Sequence, residues 1–489
     1  MENVILGAYI LSLTVLFFFG SHGFIMVHYY FKNRRNRPQR KEVTEDFPHV
    51  TVQLPIYNEM YVIDRLVDAI CKLDYPIDKL EIQVLDDSTD ETVDLVAQIV
   101  EDKRKLGFDI KQICRVDRVG FKAGALREGL EVAKGEFVAI FDADFVPKES
   151  FLKETLSYFS NPNIGMVQTR WEHLNYDYSV LTRAQAIALD GHFAIEQQVR
   201  NKTGFFINFN GTAGIWRKDC IIDAGNWEDD TLTEDLDLSY RAQLKGWNFV
   251  FLNDVTSPAE LPSEINALKS QQFRWTKGAI ETAKKILPRV WMAKLPLKVK
   301  LQSTIHLTNN LVFPFILLTG ILNVPLVFIK QSGQYDLVFA LMSVFVLAFI
   351  SSFIFYLYSQ KDIHLDWKKR IFLFPLFMAG SMGLAVNNSR AVLEGLLNIK
   401  SAFIRTPKYK IEKLGDTWLN KKYHTTTKTK IKFDVVLEVV LALYCFIGVA
   451  ASFWYLEIAA VPFQLLFFLG FGMVGLTSIR HAFATAKRA

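Results

Sequence analysis

Apolar and polar positions along the chain fall into two regimes. Residues 4–31, 303–329, 335–358, 434–455 and 458–479 are apolar runs long enough to cross a bilayer, which takes about 20 residues as helix. Residues 42–300, between the first two runs, have the mixture of a water-soluble domain. Within them HVTVQLPIYN (49–58), LEIQVLDD (80–87), FDIKQICRV (108–116) and EFVAIFDAD (136–144) are β-rich, and 61–73, 91–105 and 122–133 carry helical patterns. Strands alternating with helices of about 10–15 residues predict βαβ units and a parallel sheet. Near-continuous apolar strands such as FVAIF suit a sheet covered on both faces.

Charge orients the spans. The first run has Glu2 and no base ahead of it, and KNRRNRPQRK (32–41) behind it. It is too long for a signal-peptide core, and the positive-inside rule puts its N-terminus outside and residues 42–300 in the cytoplasm. KDIHLDWKKR (361–370) and RHAFATAKRA (480–489) are also basic and therefore inside. Residues 371–398 are apolar but broken by NNSR (387–390). Crossing there would put the Lys-rich stretch 400–432 outside, so an interfacial or re-entrant helix is expected. The expected organisation is an N-terminal anchor with its basic flank (1–41), a cytoplasmic α/β domain (42–300) and a membrane region (301–489). The whole is a multi-pass protein of a cell inner membrane.

Composition adds exclusions. Cys71, Cys114, Cys220 and Cys445 form no CxxC, hence neither a disulfide framework nor a zinc site is expected. The net charge of +5 is small for 489 residues, and no nucleic-acid partner is expected. No GxGxxG follows the first strand and no GxxxxGK[ST] occurs, which removes the main motifs of dinucleotide-binding and P-loop folds.

In sheets of this kind ligands sit beyond the carboxyl ends of the strands. Tyr57, Asn58 and Glu59 stand there after strand one, Asp86 and Asp87 after strand two, Asp142 and Asp144 after strand four. Packed carboxylates need a cation or bound donors to offset their repulsion. Asp142 and Asp144 are two apart in an extended segment and share a face. Mg²⁺ or Mn²⁺, hard ions that take carboxylate and phosphate oxygens, would suit such a pair and a nucleotide-diphosphate-sugar. In TLTEDLDLSYR (231–241), Thr233 reads as an N-cap with acids in the first helical turn, or Asp235 reads as a general base for a sugar hydroxyl. In SQQFRWTKGAI (270–280), Arg274 offers a fork of donors for diphosphate, Trp275 a flat face for a sugar ring, and Gln271 lies one turn earlier. Alone, that stretch suits an interfacial helix. Lys122, in VGFKAGALREG (119–129), is a phosphate or base contact or a solvated helix start. FINFNGTAGIWR (206–217) lets backbone approach a ligand or makes a tight turn. His306, Asn309 and Asn310 are costly in lipid and face a channel or bond neighbouring helices.

PIYNE (55–59), LDDSTD (85–90), FDADF (141–145), FNGTAG (209–214), TED (233–235) and QQFRW (271–275) occur in this order. Together they resemble the processive, membrane-embedded family 2 glycosyltransferases, which include cellulose synthases, and most of all the cellulose synthase-like A and C group of mannan, glucomannan and glucan-backbone synthases. FIRTPK (403–408) resembles the F-x-V-T-x-K gating loop of cellulose synthases, with Arg405 where Val is expected. The five apolar runs and their flanks give about five spans, and the resemblance implies that the α/β domain inserted in this helical bundle is a GT-A domain. It implies that Asp87 and Asp142, with Tyr57, Glu59 and Lys122, hold the nucleotide-sugar and Asp144 the metal. Asp235 becomes the catalytic base, Gln271, Arg274 and Trp275 the diphosphate and acceptor site, and Phe403, Thr406 and Lys408 a loop closing on the donor. The implied reaction is an inverting transfer from GDP-mannose or UDP-glucose to a growing glycan that is passed across the membrane. Two other readings are a transferase adding one or a few sugars to a lipid such as diacylglycerol or ceramide, and a non-catalytic sugar-binding sensor or channel. The intact acids at 87, 142, 144 and 235 weigh against the last.

Overall fold

The computed structural model describes residues 1–36, 40, 47–401, 404–419, 421 and 433–486. The four expected strands form as β1 (Val50–Ile56), β2 (Leu80–Asp86), β3 (Asp109–Cys114) and β4 (Phe137–Ile140), followed by β5 (Ile164–His173), β6 (Gly214–Arg217) and β7 (Asn248–Ala259). They make one sheet in the order β3-β2-β1-β4-β6-β5-β7. β3, β2, β1 and β4 run parallel, as expected. The whole sheet is mixed, because β6 enters antiparallel between β4 and β5.

β1 is buried along its whole length. On one face Val50, Val52, Leu54 and Ile56 join the main core, each burial stabilising by roughly 1.5–3 kcal/mol. On the other, Thr51 donates to Glu81 at 2.6 Å and Gln53 to Gln83 at 3.1 Å. Such a net hydrogen bond is worth only about 1 kcal/mol, so the apolar face drives folding and the polar ladder fixes register. The helix Phe121–Glu131 lies close over this ladder. A Cβ at Gly129 would sit 2.6 Å from Gln53 Nε2, so no larger residue fits there.

Among the described residues, five helices are long and apolar enough to cross a membrane: Glu2–Asn33, Leu297–Lys330, Asp336–Ile363, Phe433–Trp454 and Val461–Ala484. They match the five apolar runs, and the chain is an integral membrane protein. The second is interrupted by a 3-10 turn at Asn309–Leu311. Residues 367–396 form three short helices, Trp367–Ile371, Phe374–Gly383 and Ala385–Leu396, none of them among the candidate spans. The helices are separated at 372–373 and at Leu384, and the polar run 387–390 lies inside the last of them. Asn387 donates to Lys269 O at 3.0 Å, and Asn388 is buried. The polar run thus marks a face packed on the helix Ile265–Met292.

Candidate active site

The acids converge where the sequence placed them. A cavity of about 100 Å³ at the carboxyl edge is lined by Tyr57, Asp87, Lys122, Asp142, Asp144, Asp235, Gln271, Arg274, Trp275, Thr406 and Lys408, among others. Glu59 lies beneath it, 1% exposed. Phe403 lies outside the described residues.

Asp87 and Asp86 divide their work. Arg115 clasps the Asp87 carboxylate with two donors at 2.5 and 2.9 Å, and Arg118 stands 3.7 Å from it. Arg118 also lies flat over Tyr57, 3.4 Å from the ring centroid. Asp86 turns away to accept from Ser88 N at 2.9 Å and Gln112 at 2.8 Å, which shapes the turn. Arg115 and Arg118 were not singled out in the sequence. The signal was their place in CRVDRVG, just before Lys122.

Asp142 accepts from Lys122 Nζ at 2.6 Å, and the same ammonium donates to Gly211 O at 2.8 Å. Burial alone would raise the Asp142 carboxyl; Lys122 and Arg405 outweigh it and hold the pKa below its ordinary value. Asp144 accepts from Lys408 at 2.6 Å. Its backbone carbonyl accepts from Glu260 N at 3.3 Å, because Phe145 bridges to Ala259 at the end of β7. Glu59 pairs with Arg405 at 2.6 Å. Burial raises Glu59 to about 7 against the pull of Arg405 and Lys408, with Asp144 and Asp142 adding to the rise. Four carboxyl groups therefore crowd one edge, and lysines and arginines from distant segments offset them.

Asp235 sits in the first turn of the helix Glu234–Leu244. Thr233 occupies the N-cap position without capping; its hydroxyl pairs with Thr282 Oγ1 at 3.1 Å. Burial, then Glu234, raise the Asp235 carboxyl to about 7, opposed by Lys122 and Arg274. Gly211 has φ +80°, and a Cβ there would stand 3.0 Å from Asp235 Oδ2 and 3.5 Å from Lys122 Nζ. The left-handed backbone favours glycine there, and the close approach to Asp235 leaves a side chain little room.

Gln271, Arg274 and Trp275 lie on the helix Ile265–Met292. Gly278, one turn on, lets that helix ride against Thr233, where a Cβ would come within 2.6 Å. This contact aligns Arg274 and Trp275 with Asp235. Burial presses the Arg274 pKa down, opposed by Glu234 and Asp142, and a guanidinium stays charged at neutral pH.

Asp235, Asn210, Gln271 and Trp275 also line a second cavity of about 940 Å³. It extends to His306, Asn309 and Asn310 in the broken second span. These costly polar groups thus face an internal space, while His306 Nδ1 pairs with Tyr240 OH at 2.8 Å. Irregular backbone at membrane depth is tolerated where it lines a cavity.

Asp142 and Asp144 offer the carboxylate oxygens that suit a hard divalent ion, each of them paired in this structure with one lysine at 2.6 Å. The carboxylates of Glu228, Asp230 and Asp237 lie close enough to share an ion, but a single ammonium, Lys285 Nζ, already sits among all three at 2.5, 2.7 and 3.1 Å.

Fold and site together define a GT-A glycosyltransferase domain carried on membrane helices. Residues 48–278 match the family described as "Glycosyltransferase like family 2". The chain is 46% identical over 249 residues to probable glucomannan 4-beta-mannosyltransferase 4 of Oryza sativa subsp. japonica, covering 50% of this chain and 45% of that protein. It is 46% identical over 253 residues to glucomannan 4-beta-mannosyltransferase 2 of Arabidopsis thaliana, covering 50% and 47%. In these two relatives the match spans about half of their length. A longer match, 35% identical over 461 residues, joins it to probable glucomannan 4-beta-mannosyltransferase 2 of Oryza sativa subsp. japonica, covering 88% of this chain and 75% of that one. The fold is shared with a mannosyltransferase from Pyrobaculum calidifontis solved with GDP-Man and Mn²⁺, at a TM-score of 0.58 and 19% identity, over 81% of this chain and 100% of that one. The chain belongs to the family 2 glycosyltransferases, in the cellulose synthase-like group of the glucomannan 4-beta-mannosyltransferases.

Proposed function

We propose that the protein is a processive, inverting hexosyltransferase that builds a β-linked mannan, glucomannan or glucan from a nucleotide-diphosphate-sugar at the cytoplasmic face of a membrane and passes it across. One observation carries this reading: Asp235, Gln271 and Trp275 line both the small acidic cavity and the large one leading to the spans. The donor would occupy the first and the growing chain the second.

Asp87, flanked by Arg115 and Arg118, would hold the nucleoside with Tyr57. Asp144, with Asp142 beside it, would hold Mg²⁺ or Mn²⁺, which when bound supplies positive charge against the diphosphate. Lys122 and Arg274 face the same charge from the protein side. A hydroxyl oxygen of the acceptor's end sugar, stacked on Trp275, attacks the anomeric carbon. The bond from that carbon to the diphosphate breaks, its electron pair leaving with the nucleoside diphosphate, and the proton passes to Asp235. A carboxylate near 7 is well matched to that task. Attack opposite the leaving group turns an α-linked donor into a β-linked product. The relatives named as mannosyltransferases favour GDP-mannose as donor.

The test uses membranes containing the protein, a divalent metal, and radiolabelled GDP-mannose or UDP-glucose in separate reactions. A long product cut by mannanase or cellulase supports the reading. A small product that partitions into organic solvent would move the assignment to a lipid glycosyltransferase.

A further inference from the structure

One wall of the large cavity has no part in the reaction described above. Residues His192–Gln197 form a π-helix between the helices Val180–Gly191 and Gln198–Thr203. Such wide turns are rare and are frequent at functional sites. Here His192 Nδ1 lies 3.1 Å from Glu196 Oε2, and the Asn210 amide lies 2.9 Å from His192 Nε2. Asn210 is itself held, its Oδ1 accepting from Gln197 Nε2 at 2.7 Å.

That chain of bonds assigns the protons. Asn210 Oδ1 is an acceptor, so Asn210 Nδ2 donates to His192 Nε2, and His192 Nδ1 carries the hydrogen given to Glu196. Burial alone would raise the Glu196 carboxyl, but the His192 bond and the Arg200 charge hold it at about 2. Glu196 is thus ionised, while its side chain and that of His192 keep 24% and 26% of their surface accessible. Glu196, His192 and Asn210 all line the large cavity. Asn210 also lines the small one, beside Gly211, which abuts Asp235.

We propose that Glu196, His192 and Asn210 form an acceptor-carbohydrate subsite, gripping the sugar ring next to the one whose hydroxyl faces Asp235. This rests on the glycosyltransferase reading given above. A neutral ring with vicinal hydroxyls suits the trio, since an ionised carboxylate accepts hydroxyl hydrogens in short, charge-assisted bonds. The donor's diphosphate does not suit it, because an anion is repelled by Glu196. Glu196 also feels the charges of Arg200 and of His306 in the second span, while its accessible carboxylate edge lines the cavity, where a ligand would meet it.

The test is direct binding to the purified full-length protein, with β-1,4-linked mannotetraose and cellotetraose as probes and GDP and UDP as controls. Glu196→Ala should weaken binding of the preferred oligosaccharide at least tenfold and leave that of the preferred nucleotide within twofold. Glu196→Gln, nearly isosteric, should fall between and covers the case in which the alanine variant does not fold. Unchanged oligosaccharide affinity in Glu196→Gln and Glu196→Ala overturns the subsite, as does a parallel loss of oligosaccharide and nucleotide in Glu196→Gln. A wild-type protein that binds neither oligosaccharide also overturns it. A wild-type protein that binds oligosaccharide selectively through Glu196 but turns over no nucleotide-sugar leaves the subsite standing and overturns the transferase reading.

Discussion

Lys408 reaches the acidic edge of the sheet and donates to Asp144 at 2.6 Å, while three residues earlier Arg405 pairs with Glu59 at 2.6 Å. Both cations come from the segment that follows the short helices near the membrane, and both neutralise acids at the ends of β-strands more than 250 positions away in sequence. Under the proposed function the Lys408 ammonium faces the donor's diphosphate. A charge-assisted bond is worth about 1.5–3 kcal/mol, so Lys408→Ala should raise the donor KM roughly 10- to 100-fold. Initial rates against donor concentration check this, and an unchanged KM would remove the loop from donor handling.

Asp235 yields a pH prediction. Its carboxyl is raised to about 7, first by burial and then by Glu234, and the base acts only when deprotonated. Activity should therefore be full above pH 7 and fall as pH drops through it. Lys122 and Arg274 oppose the rise, so Arg274→Gln should move that acidic limb to higher pH as well as weaken donor binding. Asp235→Asn should lower kcat by roughly 10²–10⁴-fold, with nucleotide affinity nearly retained. A kcat-versus-pH profile of wild type and Arg274→Gln decides the first point, and calorimetric nucleotide titration the second.

Much of this was legible in the sequence, for identifiable reasons. β4 is a continuous apolar run, β1 and β2 alternate apolar with polar residues, each leads into acids, and a parallel sheet brings those ends to one edge. β5 and β7 were not assigned: VQTRWEH mixes buried and exposed polar residues, and β7 pairs with β5 through two register shifts. The Arg115–Asp87 clasp and the Arg405–Glu59 pair depend on loop paths that no periodicity encodes. The π-helix depends on one extra residue in a turn, which leaves no mark in the pattern of HFAIEQ.

Gly211 offers a test of close packing. With φ +80° and only 3.0 Å between its would-be Cβ and Asp235 Oδ2, Gly211→Ala should cost about 1–2 kcal/mol for the left-handed backbone alone. The added methyl should also push the carboxylate out of line and lower kcat more than it raises donor KM. Thermal unfolding and steady-state kinetics on the same preparation separate the two effects.

The last prediction concerns what holds the Arg–Trp helix to the membrane. Lys269 donates to Glu438 at 2.7 Å, with side chains 8% and 0% exposed. Lys269 lies on the helix Ile265–Met292 and Glu438 on the span Phe433–Trp454. Removing one partner of a buried pair strands a charge and costs about 3–5 kcal/mol, whereas replacing both by apolar groups of similar size is often neutral. Lys269→Met should therefore lower the Tm of the full chain sharply, and Lys269→Met with Glu438→Leu should recover most of the loss. Since Gln271, Arg274 and Trp275 follow on the same helix, the single variant should also lower kcat, and the double variant should regain it in step with stability. If the double variant is as unstable as the single one, the pair is held for a contact of Lys269 or Glu438 with something other than its partner.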